Sequence, residues 1–165
     1  MAEQGTAARM VEVALAEEGY VEGPKDNETK YGKFTKANFL PWCGSFVMWC
    51  ANEAGVKVPN TVSTMAGAAS FKKLGTWIDA GVAKPEPGDI VYFDFMDGGA
   101  PIEHVGIVVK DNGDGTVTTI EGNTQGPKKG KASQANGGEA VKKIRAYKKN
   151  SQKLPIFIEI GRAHV

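Results

Sequence analysis

The chain has 165 residues, with 20 Lys and Arg against 19 Asp and Glu, two cysteines and two histidines. A chain of this length can bury a core of its own as one domain without disulfides or a structural metal. Its few Cys and His residues cannot form a zinc cluster built from paired motifs, and no HExxH motif occurs. We therefore expect a single domain over residues 1–165, with no metal and no cofactor.

No apolar run is long enough to cross a bilayer, and Met1 to Glu18 lacks the apolar core of a secretory signal. We expect a soluble product, made in the cytoplasm without a signal peptide and without membrane insertion. Residues 1–127 are net acidic and residues 128–165 net basic. The basic segment holds only Tyr147 and Phe157 as aromatics and has no groove-reading motif. We expect no nucleic-acid partner, and favour a solvated surface over contact with a polyanion.

The first half of the chain shows helical periodicity. Apolar residues recur three and four positions apart from Thr6 to Glu18, which predicts an amphipathic helix. Residues from Tyr20 to Leu40 are polar and rich in turn formers, and we expect a long ordered loop there. A second helix is predicted to begin at Cys43 and to end at Gly55, and a third runs over Ser63 to Lys73.

The second half changes to the alternating pattern of strands. Five strands are predicted: Asp89 to Phe95, His104 to Lys110, Thr116 to Glu121, Ala140 to Tyr147, and Ile156 to Ile160. We expect the segment from Gly122 to Gly138 to be a mobile loop. Helices followed by strands favour an α+β fold, with N-terminal helices packed on an antiparallel sheet.

The second and third predicted strands meet at Asn112-Gly113, a strong signal for a two-residue hairpin turn. In that register His104 lies directly opposite Glu121, and Asn123 is one diagonal step away. A turn at Asp114-Gly115 would break the register. The hairpin therefore predicts that a histidine and a carboxylate share one face of the sheet.

Cys43 is predicted at the first residue of a helix that follows Pro41. Free amide N–H groups and the helix dipole favour a thiolate at such a position, so Cys43 is a candidate nucleophile. Cys50 falls in the middle of the same helix on its apolar side, and we interpret it as a structural thiol. A helix separates the two alpha carbons by roughly 10 Å, which is too far for a disulfide.

A cysteine nucleophile needs a base to take its proton and a third group to orient that base. His104 and Glu121 fit these roles, and Asn123 is a candidate to support the histidine. The other histidine, His164, lies next to the last residue, where chains commonly fray. We therefore favour His104 as the base.

The amide N–H of Cys43 at the helix start is placed to stabilise an oxyanion. Tyr31 is a weak candidate for a second donor, with a packing role as the alternative. Trp42 is a weak candidate for contact with substrate because it precedes the nucleophile, and its alternative is also a place in the core.

Several short segments occur in order along the chain: Thr29-Lys30-Tyr31-Gly32, Pro41-Trp42-Cys43, Phe46-Val47, Trp49-Cys50, Pro87-Gly88-Asp89-Ile90-Val91, His104-Val105-Gly106-Ile107-Val108 and Ile120-Glu121-Gly122-Asn123. This set, which covers about residues 5–147, resembles the CHAP family of cysteine, histidine-dependent amidohydrolases and peptidases, found in phage endolysins and bacterial wall hydrolases. The resemblance implies a papain-like fold and cleavage of amide bonds in peptidoglycan. It also implies that Cys43 is the nucleophile, His104 the base, and Glu121 and Asn123 the orienting residues.

Some members of the family bind calcium near the cysteine, but the acidic residues upstream of Cys43 form an incomplete ligand set, so no metal is expected. The resemblance implies one CHAP-like catalytic domain over residues 1–165, bacterial peptidoglycan as partner and the cell wall as place of action. We expect a monomer, and an endolysin-type hydrolase is favoured. A papain-like cysteine protease or acyltransferase acting on proteins, and a silent wall-binding module, remain alternatives.

Overall fold

The computed structural model describes residues 1–79, 82–95, 101–129, 133–147 and 157–162. Within these ranges four helices precede the six strands of one sheet. The helices are α1 (Ala7–Ala16), α2 (Lys30–Thr35), α3 (Cys43–Ala54) and α4 (Thr64–Leu74). The strands are β1 (Trp77–Asp79), β2 (Ile90–Asp94), β3 (His104–Asp111), β4 (Thr116–Thr124), β5 (Glu139–Ala146) and β6 (Phe157–Gly161).

The strands form one antiparallel sheet in the order β1-β6-β2-β3-β4-β5. The predicted α+β class, with helices ahead of an antiparallel sheet, is confirmed. None of the helices in the described part of the chain is both long and apolar enough to cross a membrane.

The predicted helices form where caps and apolar stripes agree. Thr6 accepts a hydrogen bond from the Arg9 amide at the start of α1, and Ser63 caps α4 in the same way. Gly55 and Gly75 end α3 and α4 in the left-handed conformation, with φ of 70° and 74°. All three predicted helices are therefore confirmed, with ends that differ by a few residues.

Two predictions about irregular segments are wrong in part. The segment from Tyr20 to Leu40 is not all loop, because it contains α2, whose start is capped by the Thr29 hydroxyl. This helix has six residues and buries only Tyr31 and Gly32, so it has no repeating apolar stripe for the sequence to reveal. The predicted loop from Gly122 to Gly138 begins inside β4.

The short strand β1 was not predicted at all, since three residues are too few to show alternation. The predicted last strand is confirmed from Phe157 onward, while its first residue, Ile156, lies outside the described residues.

The two faces of the sheet bury different sets of side chains. One face packs against the helices, and α3 contacts β3 and β4 there. Its apolar residues are Ile90, Tyr92, Val105, Ile107 and Ile120. The other face buries Val91, Phe93, Val108, Val117, Ile158 and Ile160. Directly paired residues share a face, so His104, which pairs with Phe93, belongs to the second face.

The predicted register of the β3–β4 hairpin is wrong. The connection is longer than Asn112-Gly113, because Asp111 pairs with Val117 and the Asn112 amide donates to the Thr116 carbonyl at 3.0 Å. Asp114 accepts hydrogen bonds from the backbone and side chain of Thr116, which stabilises this wider loop.

A β-bulge between Val108 and Lys110 then shifts the pairing by one residue, so that Ile107 pairs with Ile120. His104 is therefore not directly opposite Glu121. The wider turn and the bulge together displace the predicted register by two residues, and an even shift keeps every side chain on its face. For this reason His104 and Glu121 still share one face, as diagonal neighbours.

The start of α3 lies directly on the backbone of β4 at Gly122. A Cβ at this position would be 2.5 Å from Cβ of Phe46 and 3.0 Å from Cζ3 of Trp42. Real Cβ atoms do not approach so closely, so only glycine permits this contact. The contact holds the first turn of α3, and with it Cys43, beside the strand that carries Glu121.

We expect Gly122→Ala to lower the free energy of unfolding by about 1–3 kcal/mol, because the added methyl group overpacks the α3–β4 contact. Urea unfolding measures the loss, and near-UV circular dichroism should report a changed environment of Trp42. Gly113→Ala is the control: Gly113 has a φ of 81° but no atom within 4 Å of its missing Cβ, so it tests backbone strain without a clash. Unchanged stability of Gly122→Ala would contradict the close contact.

Candidate active site

Cys43 is the first residue of α3, and Trp42 before it makes no side-chain capping hydrogen bond to the helix. The Cys43 side chain is almost fully buried, with 4% of the residue exposed. It borders a cleft of about 520 Å³ that is also lined by Leu40, Pro41, Val62, Ser63, Thr64, Met65, Ile102 and Glu103. The thiol therefore lies at the helix start, at the edge of a groove that a substrate can enter.

His104 is the first residue of β3, and its side chain is fully buried. Its Nε2 atom lies 2.9 Å from Oε1 of Glu121. An ionised carboxylate only accepts hydrogen bonds, so Nε2 carries a proton and donates it to Glu121. In the neutral ring the other nitrogen, Nδ1, then has a free lone pair, and it is buried without a hydrogen-bond partner among the described groups.

The Cys43 thiol is close enough to act on the imidazole, although no hydrogen bond of normal geometry joins it to Nδ1. Burial alone would lower the pKa of His104, but hydrogen bonding and charge from Cys43 and Glu121 outweigh burial and raise the pKa to about 9. The surroundings of the ring thus favour the protonated imidazole, which is the form that results when a histidine takes the proton of a nucleophile.

Glu121 on β4 is fully buried and has a partner on every side. Besides His104, its carboxylate accepts hydrogen bonds from the Thr119 hydroxyl and from Nε and Nη2 of Arg145, at 3.0 and 2.7 Å for the two arginine contacts. Burial would raise the pKa of Glu121, but His104 and Arg145 hold it well below its usual range. Glu121 therefore remains a carboxylate near neutral pH.

The Glu121 side chain reaches His104 across a space that Gly106 leaves open. A Cβ on Gly106 would lie 2.6 Å from Cγ of Glu121. Because Gly106 lies beside the Glu121 side chain on the same face of the sheet, any larger residue there would displace the carboxylate.

Arg145 was missed by the sequence analysis because the burial pattern of β5 reverses the usual one. Ile144 is 71% exposed, whereas Arg145 is only 6% exposed. Hydrophobic alternation alone would point the isoleucine inward and the arginine to solvent. Only the observed register shows that Arg145 is in phase with Val141, which pairs directly with Glu121, so no signal in the sequence marked the arginine.

Asn123 lies two residues after Glu121, is fully buried and has a left-handed φ of 58°. Its side chain donates to Oδ1 of Asn136 and accepts from the Gly138 amide, both at 2.9 Å. Among the hydrogen bonds of the described residues, none joins Asn123 to His104. Its predicted role in orienting the histidine therefore stays a prediction, and the described contacts anchor the segment that leads into β5.

Tyr31 and Trp42 are both fully buried. The Tyr31 hydroxyl donates to Oε1 of Glu17 at 2.7 Å, and Nε1 of Trp42 donates to Oε1 of Glu22 at 3.0 Å. Their rings stack with centroids 5.4 Å apart. These contacts favour the packing alternative for both residues over roles in oxyanion or substrate binding.

Cys50 is fully buried in the middle of α3, and both cysteines are free. Burial raises the pKa of the Cys50 thiol well above its ordinary value, so Cys50 is a poor nucleophile, in keeping with a structural thiol. The alternative base, His164, lies outside the described residues. In those residues no group of three or more His, Cys, Asp or Glu side chains is arranged to hold a metal ion.

We expect the free energy of unfolding to fall as pH rises from about 6.5 to about 9. The folded-state pKa of His104 lies near 9, above its ordinary value of 6.5. Its contribution to stability is complete below the lower value and is lost as pH rises through the higher one. The loss is on the order of 3 kcal/mol. Urea titrations at stepped pH measure it, and His104→Gln should flatten the curve; equal slopes in both proteins would exclude His104 as its source.

A family model described as the CHAP domain matches residues 35–123, which is more than half of the chain. The matched range includes Cys43, His104, Glu121 and Asn123. No curated protein matches the chain. The resemblance predicted from the sequence is confirmed: the chain belongs to the CHAP domain family and is an amidase or peptidase type of hydrolase.

Proposed function

We propose that this protein hydrolyses an amide bond in the stem peptide or cross-bridge of bacterial peptidoglycan, with Cys43 as nucleophile. One observation carries the chemistry. Glu121 holds Nε2 of His104, which leaves Nδ1 buried and unpartnered while Cys43 acts on the same ring. The peptidoglycan substrate is supported by family membership and by the ordered motifs in the sequence.

The reaction needs the Cys43 proton on Nδ1 of His104, and the raised pKa of the imidazole favours that state. The thiolate attacks the carbonyl carbon of the amide, and the resulting oxyanion is stabilised by the Cys43 amide N–H at the start of α3. His104 then donates its proton to the leaving amine, and the C–N bond breaks to give a thioester on Cys43. Water, deprotonated by His104, attacks the thioester and releases the acid product, which restores the thiol.

Glu121 contributes by fixing the ring and by stabilising the imidazolium that forms during proton transfer. Its low pKa keeps it ionised throughout the cycle, so the proton shuttles between Cys43, His104 and substrate and never rests on the carboxylate.

The cleft beside Cys43 supports a peptide substrate. Leu40 and Met65 expose 56% and 53% of their surface at its edge, and Ile102 lines it. Apolar walls of this kind suit the small apolar side chains that flank a scissile amide, while Ser63 and Thr64 add polar groups. We propose that the protein acts at the cell wall, as an endolysin or wall hydrolase does, and as a monomer.

Replacement of Cys43 by Ser should abolish hydrolysis of purified cell walls and leave the unfolding transition near that of the wild type, because a serine hydroxyl is not ionised by this histidine. Turbidity loss of walls measures activity. The matched control is Cys50→Ser, which sits on the same helix but in the core; it should lose stability and keep activity. A Cys43→Ser protein that still lyses walls would exclude the thiol mechanism.

The bond that is cut can be identified by mass spectrometry of the products from purified peptidoglycan. We expect new amino and carboxyl ends at one amide of the stem peptide or cross-bridge, with the glycan intact. A denatured protein substrate and an amine acceptor serve as parallel tests. Cleavage of the protein, or acyl transfer to the amine, with intact muropeptides would favour a protein-directed protease or acyltransferase instead.

A further inference from the structure

Arg145 lies outside the expected set of catalytic side chains but inside the site. It projects from β5 onto the face of the sheet that carries Glu121, and it is 6% exposed. Its guanidinium donates to both carboxylate oxygens of Glu121. This two-point geometry is specific to arginine, because a lysine ammonium supplies a single compact charge.

Two aromatic rings hold Arg145 and His104 in the same pocket. The guanidinium carbon lies 5.2 Å from the ring centre of Phe93 and 5.3 Å from that of Phe95. The same rings lie 5.6 and 5.8 Å from the imidazole of His104. The arginine is therefore restrained by the residues that also restrain the catalytic base.

We propose that Arg145 is a positioning residue of the active site, which fixes the Glu121 carboxylate toward Nε2 of His104 and compensates its charge through the catalytic cycle. The proposal rests on the proposed function, in that it assumes proton transfer between Cys43 and His104.

The charges explain why compensation matters. Before proton transfer the buried site holds the Glu121 anion and the Arg145 cation, and the net charge is zero. After transfer a thiolate and an imidazolium are added, and the net charge is still zero. Without Arg145 both states carry one uncompensated buried negative charge, which is costly away from water.

Without the guanidinium, His104 would therefore hold its proton more tightly. A tightly held proton is donated slowly to the leaving amine, and the ring regains its basic form less readily for attack by water. Arg145 thus allows one histidine to act as acid and as base in the same cycle.

The other groups around the carboxylate do not replace this role. The Thr119 hydroxyl on β4 is neutral. Lys143 on β5 acts on Glu121 by charge, but burial and Arg145 lower its own pKa, and no hydrogen bond between Lys143 and Glu121 occurs among the described residues. Cys43 from α3 and His104 from β3 are the reacting groups themselves.

The test is the pH dependence of Cys43 alkylation by iodoacetamide, with peptide mass spectrometry to assign the label to Cys43. The plot of alkylation rate against pH has an alkaline limb, where the imidazolium of His104 loses its proton. In Arg145→Met we expect this limb to move up by about one pH unit, since a cation near His104 has been removed. Wall hydrolysis should fall roughly a hundredfold, the scale of a misplaced catalytic group. Arg145→Lys should keep the limb near its wild-type position but still lose hydrolysis.

Arg162→Met is the matched control, because Arg162 also binds a buried carboxylate, that of Asp89. It should lose stability without a shift of the alkaline limb. An Arg145→Met protein whose limb does not move, and whose hydrolysis falls only in proportion to its folded fraction, would overturn the proposal.

Loss of the arginine alone can prevent folding, so the double variant Glu121→Gln/Arg145→Met, which has no buried charge at this site, provides a second route. If Arg145 acts through Glu121, the double variant hydrolyses walls no more slowly than Glu121→Gln alone. A further tenfold loss would overturn the proposal. Alkylation requires no wall substrate, so the shift of the alkaline limb can be measured even if the protein does not cleave peptidoglycan. The role of Arg145 and the proposed wall hydrolysis are therefore tested separately.

Discussion

The buried carboxylate of Glu121 is the group on which the arrangement of this site depends. A carboxylate with no exposure to water must be compensated on all sides, and here each contact comes from a different strand. His104 arrives from β3, Thr119 from β4 itself and Arg145 from β5. Because these contacts satisfy the anion completely, they also fix the orientation of the imidazole. We therefore expect the proposed chemistry at Cys43 to depend on the ion pair between Glu121 on β4 and Arg145 on β5.

Two glycines shape the contacts that bring Glu121, His104 and Cys43 into one site. Gly106 leaves the space through which Glu121 reaches His104, and Gly122 lets the first turn of α3 rest on the backbone of β4. Glu121 and Gly122 are successive residues of a strand, so they face opposite sides of the sheet. The start of α3 therefore packs against one face of the sheet at Gly122, and the Glu121 carboxylate lies on the other face, one residue away. Cys43 at the start of α3 and His104 at the start of β3 interact at this point.

The hairpin between β3 and β4 shows that a wrong register can still place two residues on the correct common face, as it does for His104 and Glu121. The sequence favoured an Asn-Gly turn, but the hydrogen bonds of Asp114 and Thr116 stabilise a wider loop. That loop alone would have moved Glu121 to the other face. The bulge between Val108 and Lys110 shifts the pairing back by one residue and restores the common face. A bulge is a property of paired strands, and no local signal in β3 marked it.

The sequence by itself determined the features that depend on local periodicity and on residue type. It established the α+β class, the position of Cys43 at a helix start and the presence of His104 and Glu121 on neighbouring strands, because caps, apolar stripes and alternation are local. The tertiary structure alone decided the register, the helix α2 and the partners of the carboxylate. Arg145 illustrates the reason: its strand exposes Ile144 and buries the arginine, since a buried anion on the neighbouring strand β4 outweighs the hydrophobic preference of one side chain. Such long-range electrostatic demands leave no pattern in a short window of sequence.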